Sequence, residues 1–430
     1  MYTYSRIRIH YRQNISNFKP QMSSIVSEKT LPASAFSSYR FVMAGLILFA
    51  NFSIGLLWSS LSPLLPLVMD DFSISASTAS LLIAVPVFIK SLIGLPGSVI
   101  ISRFGMKRIF SISWFMIGAL ALSFLASNYI TLLVLRLSYG VGAGLMMPAL
   151  GGLVMQWFPV AERTLINSLN LIIMSLGISI SYAIAAPLTE IVSWQGVLSI
   201  LGTVGLLGAV AWVYLGRVRA EEENVKVNFN FQEVWDVLRD KTIFLLFLGD
   251  SLVFTLYAAL SNWLPTYYYE VRGMPLSQAG NITGLMPFIG MFAVIAGGFL
   301  AQRVKEKRLL FLIPGILVML GGFGSFLIEN VAGIYISVIT LGIGAWVYQP
   351  ILLTLPMDLP WMTPNKIAIV WGASMTVAGF GMFLSPIVVG ASQDILGSFV
   401  PGFILCAVPA SFLIFTGLLL PEHKVSIVKG

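Results

Sequence analysis

The sequence predicts an all-α membrane protein: twelve transmembrane helices in two six-helix halves related by internal duplication. Three observations lead there. Apolar residues make up 57% of the chain and charged residues 10%, with a mean hydropathy of +0.90, whereas a soluble domain is nearer half apolar and a quarter charged. The apolar residues form long runs rather than alternating ten-residue segments, and a bilayer admits only helices or closed barrels, so the runs read as helices. Finally, the chain repeats itself. The stretch from Pro86 to Arg108 returns as Pro287 to Arg308, with offsets of 201 for the prolines (287 − 86), 201 for Gly97 and Gly298, and 200 for Arg103 and Arg303. Gly140, Gly142 and Pro148 match Gly342, Gly344 and Pro350 at an offset of 202, as Gly177 matches Gly379. Repeats of this kind fix the architecture before any local reading does.

Residues 1–40 carry six Lys or Arg against the single acid Glu28 and read as a cytoplasmic N-terminal tail, although a transit peptide has a similar composition. The first six-helix bundle covers 41–216, with spans at 41–69, 76–101, 109–127, 129–157, 164–190 and 195–216. Residues 217–241 form the one long polar link, with five Lys or Arg and six acids. Phe231, Val234, Trp235 and Leu238 follow helical spacing there, which fits a short amphipathic helix on the membrane surface or a plain connector. The second bundle covers 242–420, with spans at 242–269, 277–301, 309–328, 331–357, 367–391 and 397–420, and residues 421–430 form a second cytoplasmic tail.

The net charge of +7 does not point to nucleic acid, because the basic residues sit in short loops between apolar runs. Arg103, Lys107, Arg108, Arg163, Arg217, Arg219, Arg303, Lys305, Lys307, Arg308 and Lys366 fall on one side. The other holds Asp70, Asp71, Glu190, Glu270, Glu329 and Asp394, with Arg272 as its basic residue. The positive-inside rule then places both termini in the cytoplasm of a multi-pass plasma-membrane protein, and an even number of spans agrees. Cys406 is the single cysteine, and His10 and His423 lie in the tails. With no Walker-type loop, catalytic triad or metal-ligand cluster in the sequence, the expectation is no enzyme, no metal and no cofactor.

Twelve spans in two related halves, with a basic turn after spans 2 and 8, resemble the major facilitator superfamily over roughly residues 41–420. The family's loop after span 2 has the form G-x-x-x-D-R-x-G-[RK]-[RK]; here Arg103, Gly105 and Lys107 match, while Ser98 and Ser102 replace the first glycine and the acid. In the second copy Gly298 and Arg303 match, and Gln302 stands at the acid. The family uses that acid to latch its halves on the cytoplasmic side, so a different contact is expected to serve here. Span 4 carries R-x-x-x-G-x-G as Arg136, Gly140 and Gly142. In span 5, Ala185-Ala186-Pro187 lacks the glycines of the exporters' G-P-x-x-G-G run. Asn262-Trp263-Leu264-Pro265-Thr266-Tyr267 with Arg272-Gly273 is similar to members that carry small anions. The resemblance implies a secondary transporter that rocks between two states about a midplane site.

An ionisable residue within the hydrocarbon is a functional-site candidate. Lys90 lies 13 residues before Arg103, roughly 20 Å from the cytoplasmic end. Arg136 lies eight residues after Asn128, roughly 12 Å below the other face. No acid sits at comparable depth in the first half, so two unpaired cations around one hollow would attract an anion. Arg136 alternatively serves by hydrogen-bonding the broken backbone of a neighbouring span. Asp250 is a deep carboxylate, and a carboxylate withdrawn from water is suited to exchanging a proton, which makes it the proton-coupling candidate; a salt bridge that closes the cytoplasmic side is the other reading. Asn51, Trp58, Tyr257, Asn262, Trp263, Trp346, Tyr348 and Gln349 complete the candidate substrate-binding set. The expected partners are a small-molecule solute, a proton or other coupling ion, and the bilayer, with no nucleic acid and a monomeric chain. Drug or metabolite efflux is the alternative within transporters, and a non-transporting membrane receptor is the alternative outside them.

Overall fold

A computed structural model of the chain describes residues 38–219 and 239–420, apart from 360 and 363. The expected tails and the amphipathic stretch at Phe231, Val234, Trp235 and Leu238 lie outside the described residues. Among those described, twelve helices are long and apolar enough to cross a bilayer. Their ends fall where side chains can satisfy the orphan amides of a first turn. Ser75 caps span 2 (Ala76–Phe104), Asn128 caps span 4 (Tyr129–Trp157), and Ser193 caps span 6 (Trp194–Leu215). Asp240 caps span 7 (Lys241–Glu270), and Asn330 caps span 10, which opens at Val331. Span 5 is Val160–Leu188, span 8 Leu276–Arg303, span 9 Leu309–Leu327 and span 11 Pro364–Leu396.

Four spans that read as single runs in the sequence change form along their length. Span 1 is helical over Arg40–Trp58, loosens at Ser59 to Leu61, passes through a 3-10 turn at Ser62–Leu64, and resumes as Leu65–Phe72. Pro63 and Pro66 bring no amide to the ladder there. Span 10 stops at Val347 and restarts as Gln349–Thr354, with Pro350 in its first turn. Span 12 divides into Val400–Ala410 and Phe412–Leu419 just after Pro409. Span 3 is α-helical over Met106–Gly118 and tightens to 3-10 over Ala119–Leu125.

Within the first half, span 2 packs along span 4 and span 1 along span 5; within the second, span 10 packs against spans 8 and 9. The halves meet along two seams, span 5 on span 8 and span 2 on span 11. Small residues let the backbones close up at both. A methyl group at Gly280 of span 8 would stand 2.7 Å from the Tyr182 carbonyl oxygen of span 5, and one at Gly390 of span 11 would stand 2.7 Å from that of Ala76. Farther along the second seam the rings of Phe88 and Phe383 lie 4.6 Å apart.

Candidate functional site

The centre of the first half is built around carbonyls that the helices cannot use. Span 1 breaks at Trp58, so Leu57 and Trp58 present carbonyl oxygens where the ladder stops. Pro86 sits inside span 2 and has no amide, which frees the carbonyl of Leu82 one turn earlier. Arg136 of span 4, 1% exposed, takes all three. Its Nε donates to Leu82 O at 3.0 Å, Nη1 to Leu57 O at 2.9 Å, and Nη2 to Trp58 O at 3.3 Å. A planar guanidinium with five donors suits such a task, and an ammonium does not. The glycines that follow have a packing reason. A Cβ at Gly140 would come within 2.8 Å of the Pro86 backbone, one at Gly142 within 2.8 Å of Ser113 O, and one at Gly144 within 3.1 Å of Lys90 Cα.

Lys90 is placed differently. Its Nζ stands 3.7 Å from the centre of the Trp58 ring. Among the described residues no carboxylate pairs with it. Trp58, Pro86, Lys90, Arg136 and Tyr139 line one small cavity with Ile83 and Val87, enclosing about 190 Å³ of empty space counted with its mouth. The two deep cations therefore share a wall, but Arg136 spends its donors on the protein. Tyr139, one turn beyond Arg136, donates from its hydroxyl to Ile54 O at 2.8 Å. Its place in the site was readable from its i, i+3 spacing to Arg136.

In the second half, Asp250 of span 7 is 6% exposed and meets no cation among the described residues. Its Oδ1 accepts from the Tyr348 hydroxyl at 2.9 Å and from Gln349 Nε2 at 2.7 Å. Both donors sit at the break in span 10, so in place of the salt bridge of the alternative reading, two hydrogen bonds from neutral donors join spans 7 and 10. Nearby, Phe254, Tyr257 and Trp346 cluster with centroids 5.4–6.0 Å apart, Trp346 edge-to-face with each of the other two rings, which are tilted at 52° to one another. The Tyr257 hydroxyl and Trp346 Nε1 are buried without a hydrogen-bond partner in the structure.

The remaining candidates are spread out. Asn51 bonds back to Ile47 O within span 1. Asn262 accepts from Ser62 Oγ across the halves at 2.8 Å and belongs to the seam, whereas Trp263 Nε1 donates to Pro386 O at 2.9 Å and joins spans 7 and 11 within the second half. Gly105 takes φ +85° to turn the chain between spans 2 and 3, a conformation that favours glycine. Arg103, Lys107 and Arg303 are exposed at that end of the molecule, and none forms an ion pair with a described residue. No group of His, Cys, Asp and Glu among the described residues is placed to hold a metal ion.

A family model described as Major Facilitator Superfamily matches residues 47–386. The hexuronate transporter of Bacillus subtilis is 24% identical over 82% of this chain and 88% of its own length. A probable sulfoacetate transporter of Cupriavidus necator is 24% identical, with coverages of 78% and 83%, and a probable nitrate transporter of Staphylococcus carnosus is 24% identical, with coverages of 82% and 89%. Among solved structures, a bacterial homologue of the human lysosomal transporter Spinster, in an inward-facing and unoccupied conformation, superposes with a TM-score of 0.68 at 15% identity. That match covers 89% of this chain and 98% of the other.

Proposed function

The chain belongs to the Major Facilitator Superfamily, and from that premise we propose that it moves a small organic or inorganic anion with one negative charge across the plasma membrane by alternating access. The observation that carries this reading is Lys90: a half-buried residue within a membrane span whose ammonium rests on an aromatic face, with no described carboxylate to neutralise it. A cation–π contact offsets only part of the cost of removing the ammonium from water, and an anionic solute would supply the rest. One uncommitted cation matches one negative charge. The Tyr257 hydroxyl and Trp346 indole N–H, which face each other without a hydrogen bond of good geometry, are donors suited to the oxygens of such a solute. The named relatives are transporters of anions: hexuronate and nitrate carry one negative charge, as proposed here, and sulfoacetate carries two.

Proteoliposome uptake of hexuronate, sulfoacetate and nitrate tests the reading. The Lys90→Gln variant should lose uptake at least tenfold while keeping its folded elution profile, and Lys90→Arg should restore part of it. Uptake unchanged in Lys90→Gln removes the anion reading.

Coupling is assigned in the same proposal to a proton at Asp250. A carboxylate that binds the break in span 10 through neutral donors changes its hydrogen bonding when it gains a proton, and this links a proton to the shape of a transport helix. In Asp250→Asn, exchange of solute across the membrane should persist, and accumulation driven by a pH gradient should disappear. If accumulation survives, Asp250 only holds spans 7 and 10 together. Both termini are proposed to face the cytoplasm, on the side of Arg103, Lys107 and Arg303.

A further inference from the structure

The end of span 11 reaches across the molecule and completes a helix in the other half. Span 2 begins at Ala76 with Ser75 as its N-cap, and Ser75 Oγ accepts from Thr78 N at 3.4 Å. That leaves the amides of Ala76 and Ser77, the first two of the helix, with no partner in their own half. Asp394 takes both. Its Oδ1 accepts from Ala76 N at 2.9 Å and its Oδ2 from Ser77 N at 2.9 Å, and the Ser77 hydroxyl donates to the same Oδ2. The partners are more than 300 residues apart in the chain and belong to opposite halves. A carboxylate at a helix N-terminus also meets the positive end of the helix dipole.

The contact is the rim of a larger closure. Ser80 Oγ, one turn further into span 2, donates to Pro386 O of span 11 at 2.9 Å. On the neighbouring seam, Ser62 Oγ donates to Asn262 Oδ1 at 2.8 Å, and the Tyr182 hydroxyl of span 5 donates to Ser261 O of span 7 at 2.5 Å. These hydrogen bonds lie toward the face that carries Asp70, Glu190, Glu329 and Asp394, opposite the basic turns.

We propose that Asp394 is the latch that holds the two halves closed on this acidic face. The inference rests on the alternating-access reading, in which this face must open and close. The chemistry suits a reversible contact. When the halves part, the freed amides and carboxylate end up at the water boundary, where solvent satisfies them, so opening strands no buried group. The latch also stands opposite the turns after spans 2 and 8, where Ser102 and Gln302 occupy the family's acid positions: the chain keeps a carboxylate for the acidic face and none at those two positions.

Spin labels report the opening directly. In purified full-length protein with Cys406→Ser, labels at Ser127→Cys and Val331→Cys sit on the acidic face in opposite halves. Two variants weaken the latch from its two sides. Asp394→Asn removes the charge and one acceptor. Ala76→Pro removes one amide at the first helical position, which proline tolerates, after a Ser75 already extended at φ −73°, ψ 162°. The parent should give one short distance, and each variant that folds should add a longer component. A distance distribution identical to the parent's in both variants overturns the latch. A shift without transport of any tested anion leaves the latch standing and sinks the anion reading; transport that depends on Lys90 without any shift does the reverse.

Discussion

Two basic side chains in the first half are both substrate candidates in the sequence, Arg136 with a backbone-bonding role as its alternative, and the fold separates them. Arg136 holds three carbonyls freed by a helix break and a proline, and Leu57 O has a second donor in the Ser60 hydroxyl, so Arg136→Met should strand two buried acceptors, those of Leu82 and Trp58, at ~1–3 kcal/mol each. Thermal unfolding in detergent should show a fall of several degrees, with little recovery in Arg136→Lys, because one ammonium cannot reach all three. Lys90→Met should do the opposite, leaving the melting temperature unchanged or higher while uptake is lost, because it removes a charge within a membrane span that no described acid balances. The depth of both residues was legible from their distance to the loop arginine and to Asn128. Their difference was partly legible too, since Pro86 implies an orphan carbonyl at Leu82. What no spacing revealed is that span 1 breaks at Trp58, and that break gives Arg136 the rest of its partners.

At the level of the helices, the hydrophobic runs located the spans closely. Span 4 was read as 129–157 and is Tyr129–Trp157. The breaks in spans 1, 10 and 12 were not read, because a window of about 20 residues averages over the loss of one or two amides. Yet the breaks hold the chemistry. In the first half a cation on span 4 secures broken span 1, and in the second a carboxylate on span 7 secures broken span 10. Spans 1 and 7 are repeat partners, as are spans 4 and 10, so the two halves brace the same helix pair with opposite charge from opposite sides. Close approach also belongs to this level. Gly140→Ala places a methyl 2.8 Å from the Pro86 backbone, which must push spans 2 and 4 apart. Fluorescence-detected size-exclusion should show less folded protein after mild heating than for Gly151→Ala, where nothing lies within 4 Å.

For the molecule as a whole, the repeat announced two halves, and the charge distribution proposes how they sit in the membrane. Single cysteines should label accordingly in intact cells lacking the native Cys406: Glu329→Cys with an impermeant maleimide added outside, and Lys107→Cys only after the membrane is permeabilised. The reverse pattern would invert the proposed topology. The closure between the halves stayed hidden from the sequence for a physical reason: half of it is main chain. Asp394 was visible only as one more acid on its face, because two of the three groups it binds are main-chain amides, which carry no side-chain signature. This has a bearing on how the protein drifts over generations. Every amino acid except proline offers the same amide, so the hydrogen bond that position 76 gives the clasp does not depend on its side chain; packing limits that buried position to small residues, and the substitution pattern at 76 will carry no memory of position 394. Pairwise co-variation among descendants would therefore pass over this joint, and a lone acid that persists without a changing companion is the mark it would leave.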